Sequence, residues 1–287
     1  MAELKYGDLV KQLTFRAGSG GGNARELVFV SGEEMAGFDF NFIIGVYDET
    51  GDWAPGRGAH AHSFDEVLLF FGYDDEDMNY LGSDMELAVG KEQEKHTFSG
   101  PMVVSAPKGI PHCPLITQKV YKPFGHFHLA LASKYSGERA AMSDNKTDGT
   151  KYSKYFHEFP VKAGPGGADA LQQAYMSGDD LNGLDIHFTM GLHNQTGQWE
   201  SGKAAHTHPY DEVLVFFGHK VEDLSYLGAE LTIEIGQEHE KHTFDTPTVV
   251  AIPRGTPHFP ISCSRLDRAY GSMAIGLSRK YESSPAD

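Results

Sequence analysis

The chain has 287 residues, with 40 Asp and Glu against 24 Lys and Arg and a formal net charge of −16. That length accommodates one large or two medium domains with proper cores, and the acidic balance, with no Lys/Arg-rich stretch, repels phosphate backbones and anionic lipid surfaces. Residues 1–20 hold no apolar segment of signal-peptide length and no run of about 18 apolar residues occurs, so the expectation is a cytoplasmic protein with no nucleic-acid or membrane partner.

Residues 38–42, Phe-Asp-Phe-Asn-Phe, alternate with period two, as a half-buried strand does. After a loop bearing Trp53, which reads as a cover for a barrel end, comes His60-Ala61-His62. Alternate side chains of a strand share a face, so His60, His62 and, if the strand runs straight, Glu66 project together. Asp65 points away and is expected to orient a neighbouring group. Residues 67–71 are apolar on both faces and end at Gly72, the pattern of a strand buried on both sides. The acidic loop 72–77 reads as a solvated turn or lid, since its oxygens are not spaced as in a calcium loop. His96, in Glu94-Lys95-His96-Thr97-Phe98, is expected to serve a turn or interface hydrogen bond. Residues 107–111, Pro-Lys-Gly-Ile-Pro, lead into His112, whose imidazole is expected from the opposite wall, while Cys113 is expected to face away. His126 and His128 share one face of a further strand. Helix signals are weak, confined to residues 136–142 and 167–176, and residues 142–149 read as a polar linker.

The whole pattern then recurs. His206, His208, Glu212 and His258 repeat His60, His62, Glu66 and His112 at one offset: 206 − 60 = 146 and 258 − 112 = 146. Trp199, Asp211 and His242 answer Trp53, Asp65 and His96, and Lys280-Tyr281 answers Lys134-Tyr135. An internal duplication this complete describes two domains, residues 1–146 and 147–287. Short β-branched and aromatic segments, punctuated by Gly, Pro, Asn and Asp about every eight to twelve residues, make both all-β. Cys113 and Cys263, the only cysteines, sit in different halves and do not describe a disulfide framework. Apolar strand edges leave a homo-oligomer open.

Three imidazoles and one carboxylate suit a divalent transition metal, and four protein ligands leave one or two positions for water, substrate or dioxygen. Fe(II) or Mn(II) is the expected ion, one per domain, with Ni(II), Cu(II) or Zn(II) as alternatives. The copies also differ. His126 and His128 become Ser272 and Ala274, whereas His187 and His193 replace Asn41 and Tyr47. An imidazole beside a metal-bound substrate is suited to moving a proton near neutral pH, which makes His126 and His128 candidate catalytic residues, with His187 and His193 similar candidates in the second half.

With Gly56 and Gly58 ahead of His60, three residues between His62 and Glu66, Gly72 closing the segment, and Pro107-Lys108-Gly109-Ile110-Pro111-His112 matched by Pro253-Arg254-Gly255-Thr256-Pro257-His258, the chain resembles a bicupin. It departs from the family pattern in the placing of the leading Gly, in a Glu66-to-Gly72 interval one residue short, and in Ile116 and Ser262 where Asn is usual. These positions concern turns and packing. The resemblance implies two tandem cupin (jelly-roll β-barrel) domains with minor helix, and the two ligand sets named above. It also implies a metal-dependent, dioxygenase-like oxidoreductase acting on a small oxygen-rich molecule (a phenolic, diketone or organic acid), with Glu66 or Glu212 serving as a base. Redox-neutral isomerase, decarboxylase or lyase chemistry with the same metal is the second reading, and a non-catalytic binding or storage protein the third.

Overall fold

The computed structural model describes residues 4–17, 23–56, 58–74, 77–145, 147–200 and 204–286. Asp75 and Glu76 of the acidic loop and Lys146 of the linker lie outside the described residues. Two compact units form: an N-terminal unit of residues 15–159 with 180–184, and a C-terminal unit of residues 1–14, 160–179 and 185–287. Each is the tandem-cupin half expected, an antiparallel seven-stranded sheet packed on a six-stranded one. Among the described residues, helix is limited to three-residue 3-10 turns at Gly7–Leu9, Gly32–Glu34 and Ser153–Tyr155.

In the N-terminal unit, strand Glu66–Gly72 lies between Met102–Ala106 and Phe124–Ala130 and is buried along its whole length, which is why it reads as apolar on both faces. Asn41–Tyr47 follows on the far side of Phe124–Ala130. The six-stranded sheet runs Glu138–Arg139, His60–Ala61, His112–Val120, Ser83–Val89 and Glu94–Phe98, with Gly51–Asp52 also pairing with His112–Val120. Leu68 and Phe70 from the first sheet meet Met85, Leu87 and Leu115 from the second in one core. The C-terminal unit repeats this, with Leu214 and Phe216 meeting Leu231, Ile233 and Ile261.

Two local expectations are corrected. Residues 167–176 contain no helix: Gln172–Met176 is a strand, drawn into the sheet by pairing with His187–His193. In residues 136–142 the only regular element is the two-residue strand Glu138–Arg139. Both segments carry helix-tolerant residues, and sheet pairing overrides so weak a local preference. The alternating stretches at 38–42 and 184–188 bury their apolar residues, but the strands proper start at Asn41 and His187.

The units do not follow the repeat boundary. Val10–Gln12 edges the C-terminal unit's large sheet, with Val10 opposite Val250, and Phe156–Glu158 edges the N-terminal unit's, with Phe156 opposite Val104. The repeated Glu-Lys-His-Thr-Phe segment latches these arms. Glu240 accepts the Lys5 and Tyr6 amide protons, each at 2.9 Å, and Glu94 accepts that of Tyr152 at 3.1 Å. His242 Nε2 and His96 Nε2 lie 2.8 and 2.9 Å from the same two carboxylates. The arm tyrosines lie flat on glycines: a Cβ at Gly236 would stand 2.2 Å from the Tyr6 ring, and one at Gly90 2.0 Å from the Tyr152 ring.

Gly236 also has φ +80°, so Gly236→Ala adds a left-handed strain of about 1–3 kcal/mol to the ring clash. The expected outcome is a lower urea midpoint and faster proteolytic clipping near residue 14 than in wild type. Acid acts on the same latch. Burial pushes the Glu240 carboxyl up, and the Tyr6 and Lys5 amide hydrogen bonds outweigh it, leaving it below the ordinary 4.5. A depressed carboxylate stabilises the folded form above pH 4.5 and loses that contribution as the pH falls, so clipping at this arm should rise on acidification below pH 4.5.

Candidate metal centres

Each candidate ligand set draws its residues from both sheets of its unit. His60 sits directly opposite His112 on adjacent antiparallel strands, and His206 opposite His258. The third imidazole, His62 or His208, follows on the same short strand's exit. The strand does not run straight into the carboxylate: it breaks at Ser63, Phe64 and Asp65, and Glu66 opens a strand of the other sheet. The opposite wall is therefore supplied by Glu66 and Glu212, and not by His112 and His258 as expected. The turn before His112 is held by two bonds, Gly109 N–H to His62 O at 2.8 Å and Lys108 N–H to Asp65 Oδ1 at 2.8 Å. Asp211 does the same for Arg254, so Asp65 and Asp211 orient the turn that delivers the last imidazole.

Donor atoms converge. In the N-terminal unit His62 Nε2 and His112 Nε2 lie 3.3 and 3.2 Å from the two oxygens of Glu66. In the C-terminal unit His208 Nε2 and His258 Nε2 lie 3.6 and 3.0 Å from those of Glu212. Donor atoms of His62, Glu66 and His112, and those of His206, His208 and His258, fall within 4.8 Å of one another. A third group is His60, His112 and Cys113. The expectation that Cys113 faces away is thus corrected: its φ of +78° and a register shift after His112 break strand alternation there and turn the thiol toward the histidines.

Two features of the donor set suit a metal. His62 Nδ1 donates to Ser136 O, His208 Nδ1 to Glu282 O, His112 Nδ1 to Ile110 O and His258 Nδ1 to Thr256 O. A proton committed to Nδ1 leaves the lone pair on Nε2, the arrangement by which backbone carbonyls prepare imidazole ligands. Glu66 Oε2 and Glu212 Oε2 are buried and accept no hydrogen bond, although each faces an imidazole. Burial lowers His60 to about 4, helped by His112, and lowers His62, so both are neutral at pH 7; burial also pushes His112 down, but Glu66 outweighs it and leaves that imidazole raised. Burial pushes Glu66 up, but the neighbouring His128 and His112 outweigh it and hold the carboxyl well below its ordinary range; burial pushes Glu212 up too, and His258 leaves it lowered.

Beyond the ligands the units part company. In the N-terminal unit His128 Nε2 contacts Glu66 Oε1 at 2.8 Å. His126 is sealed among Tyr47, Trp53 and Phe70, with Nδ1 donating to Leu69 O at 3.0 Å. Tyr47 and Trp53 stack at 3.8 Å, filling the barrel interior. In the C-terminal unit Ser272 and Ala274 leave a cavity of about 400 Å³ against His206, Glu212 and His258. His187 and His193 both line it. Burial lowers His193 to about 3 and lowers His187. His193 stacks on Trp199 at 4.2 Å, and its Nε2 meets Ser272 Oγ at 2.9 Å. Trp199 forms part of the cavity wall, whereas Trp53 closes its own barrel. Sequence reasoning overlooked Tyr135 and Tyr281, noted only as repeat landmarks: Tyr135 OH stands 3.5 Å from His62 Nε2, and Tyr281 packs 5.3 Å from His208 and lines the cavity.

No protein-family model and no curated protein matches the sequence. Solved structures do match in fold. Oxalate decarboxylase from Lactobacillus farciminis, as its formate complex, superposes with a TM-score of 0.63 at 10% identity, covering 99% of this chain and 89% of that one. A Bacillus subtilis oxalate decarboxylase studied for its Mn(II) centres gives 0.61 at 9% identity, covering 96% and 79%. The likeness is one of fold, that of a tandem cupin. Among the described residues no helix is long and apolar enough to cross a membrane.

The two sets predict a metal count that falls stepwise. His62→Ala and His208→Ala should each remove about one divalent ion per chain by elemental analysis, and the double variant both, since three remaining donors hold these ions far more weakly.

Proposed function

We propose that the protein is a metal-dependent enzyme whose reaction takes place in the C-terminal unit, on a small, uncharged, partly apolar molecule with two neighbouring oxygen functions. The observation that carries this is the cavity of about 400 Å³ beside His206, Glu212 and His258, in the size range of small-molecule sites. Its described lining holds Asp169 and Glu200 but no Lys or Arg. A dianionic acid would meet no cation there apart from the metal, which argues for diketones and phenols over organic acids.

His206, His208, Glu212 and His258 would hold an ion, with Fe(II) or Mn(II) as the assignment. When bound it supplies Lewis acidity toward the substrate oxygens. The chain does the rest. Leu214, Phe259 and Ile261 take the apolar part of the substrate and exclude water. The His193–Ser272 pair presents a hydrogen-bonding edge to a substrate oxygen. Glu212 Oε2, buried and without a hydrogen bond, is placed to accept the acidic proton of a diketone or phenol. The reaction assigned is dioxygenation: both atoms of one O2 enter the products and one carbon–carbon bond of the substrate breaks, so no external reductant is needed. In this reading the N-terminal unit supports the fold, with His128 a positioning residue that holds Glu66 and His126 a packing residue.

The test is oxygen uptake by iron- or manganese-loaded protein with β-diketones and catechols. Consumption of one O2 per substrate supports the reading, and turnover that continues without oxygen would replace it with redox-neutral chemistry. Ser272→His with Ala274→His restores the N-terminal side chains and fills the cavity, and is expected to lower kcat/KM roughly 100-fold or more with metal content unchanged. If that variant retains full activity, the reaction does not belong to the C-terminal unit.

A further inference from the structure

The two ligand sets differ at one position that the duplication makes directly comparable. Residue 113 is Cys in the N-terminal unit, and its counterpart, residue 259, is Phe. Both carry a left-handed backbone, φ +78° and +89°, at the residue following the last histidine. In the C-terminal unit this conformation turns Phe259 into the cavity, where its ring lies 5.6 Å from that of His206. The same conformation turns Cys113 toward the equivalent histidine, His60. Its sulfur, a ring nitrogen of His60 and one of His112 lie within 4.8 Å of each other. Glu66 Oε2, wholly buried and accepting no hydrogen bond, faces His112 Nε2 from the other sheet at 3.2 Å. A non-glycine residue in this region costs about 1–3 kcal/mol and recurs where function fixes a side chain.

We propose that the Cys113 thiolate is a ligand of the metal ion held in the N-terminal unit, alongside His60 and His112, so that the two units of one chain present different donor chemistry. The inference rests on the reading that the N-terminal unit binds a metal. Ligation by sulfur requires loss of the thiol proton to solvent on metal entry and changes no oxidation state. A thiolate makes the N-terminal set softer than the all-nitrogen-and-oxygen C-terminal set, and shifts its preference from Mn(II) toward Zn(II), Fe(II) or Co(II). It also gives that unit a donor that oxidation can remove, which the C-terminal unit lacks.

Cobalt substitution tests this without reference to activity. Metal-free protein is titrated with Co(II) while bound cobalt is counted and the absorption spectrum recorded. Sulfur-to-cobalt charge transfer in the near ultraviolet is expected to grow with filling of the N-terminal set, to vanish in Cys113→Ser and to persist in Cys263→Ser. In wild-type protein, bound Co(II) should also slow alkylation of Cys113, read from the mass of its peptide, which keeps the test valid if a variant fails to fold. Cobalt bound in both units with no thiolate band and unprotected Cys113 would overturn this inference and leave the metal-enzyme reading intact. No cobalt bound at all would overturn both.

Discussion

A carboxylate buried at the first residue of an interior strand, Glu66 without solvent exposure and Glu212 at 6%, is the constraint around which each unit is arranged. Burying such an ion costs on the order of several kcal/mol even after local relaxation, and only opposite charge or several hydrogen-bond donors offset it. Glu66 and Glu212 accept too few hydrogen bonds for that, and a cation shared with the facing histidines would satisfy them. The turn tied to Asp65 or Asp211, and the direct opposition of His60 with His112 and of His206 with His258, follow from the need to bring imidazoles across the core to that one point.

Around this shared constraint the copies have diverged by volume. The N-terminal unit fills its interior with Tyr47, Trp53, His126 and His128, a packed arrangement in which Glu66 is held from a further side. Exchange of the two histidines for Ser272 and Ala274, and of Tyr47 for His193, empties the same region of the other unit and lines it with polar edges. The ligands alone would describe two equal centres. The residues behind them separate an interior filled by side chains from one that holds a cavity, while the N-terminal set borders a cavity of about 360 Å³ on its other side, at His60, His62 and Tyr135.

Much of this was legible along the chain. The ligands, their duplication and the all-β class could be read because histidine spacing and the 146-residue offset are one-dimensional properties. Which wall each ligand comes from could not, since that depends on a chain break at residues 63–65 that carries no strong turn signal. Cys113 was hidden for a similar reason: strand alternation predicts the outward face, and a single left-handed residue reverses it. Residues 172–176, Gln-Gln-Ala-Tyr-Met, are tolerant of helix, and only pairing with His187–His193 decides for strand. The cavity escaped because it is made by small residues, which have no chemistry to announce.

The exchanged arms bear on how such a chain can come apart. An early strand of each copy completes the large sheet of the other, with Val10–Gln12 beside Thr248–Ile252 and Phe156–Glu158 beside Met102–Ala106. A cut at the repeat boundary would therefore yield two fragments, each carrying its partner's edge strand and missing its own. Neither would be a domain in the ordinary sense. Mixed together, the fragments hold every strand of both large sheets, so each needs the other's first strand to complete its own.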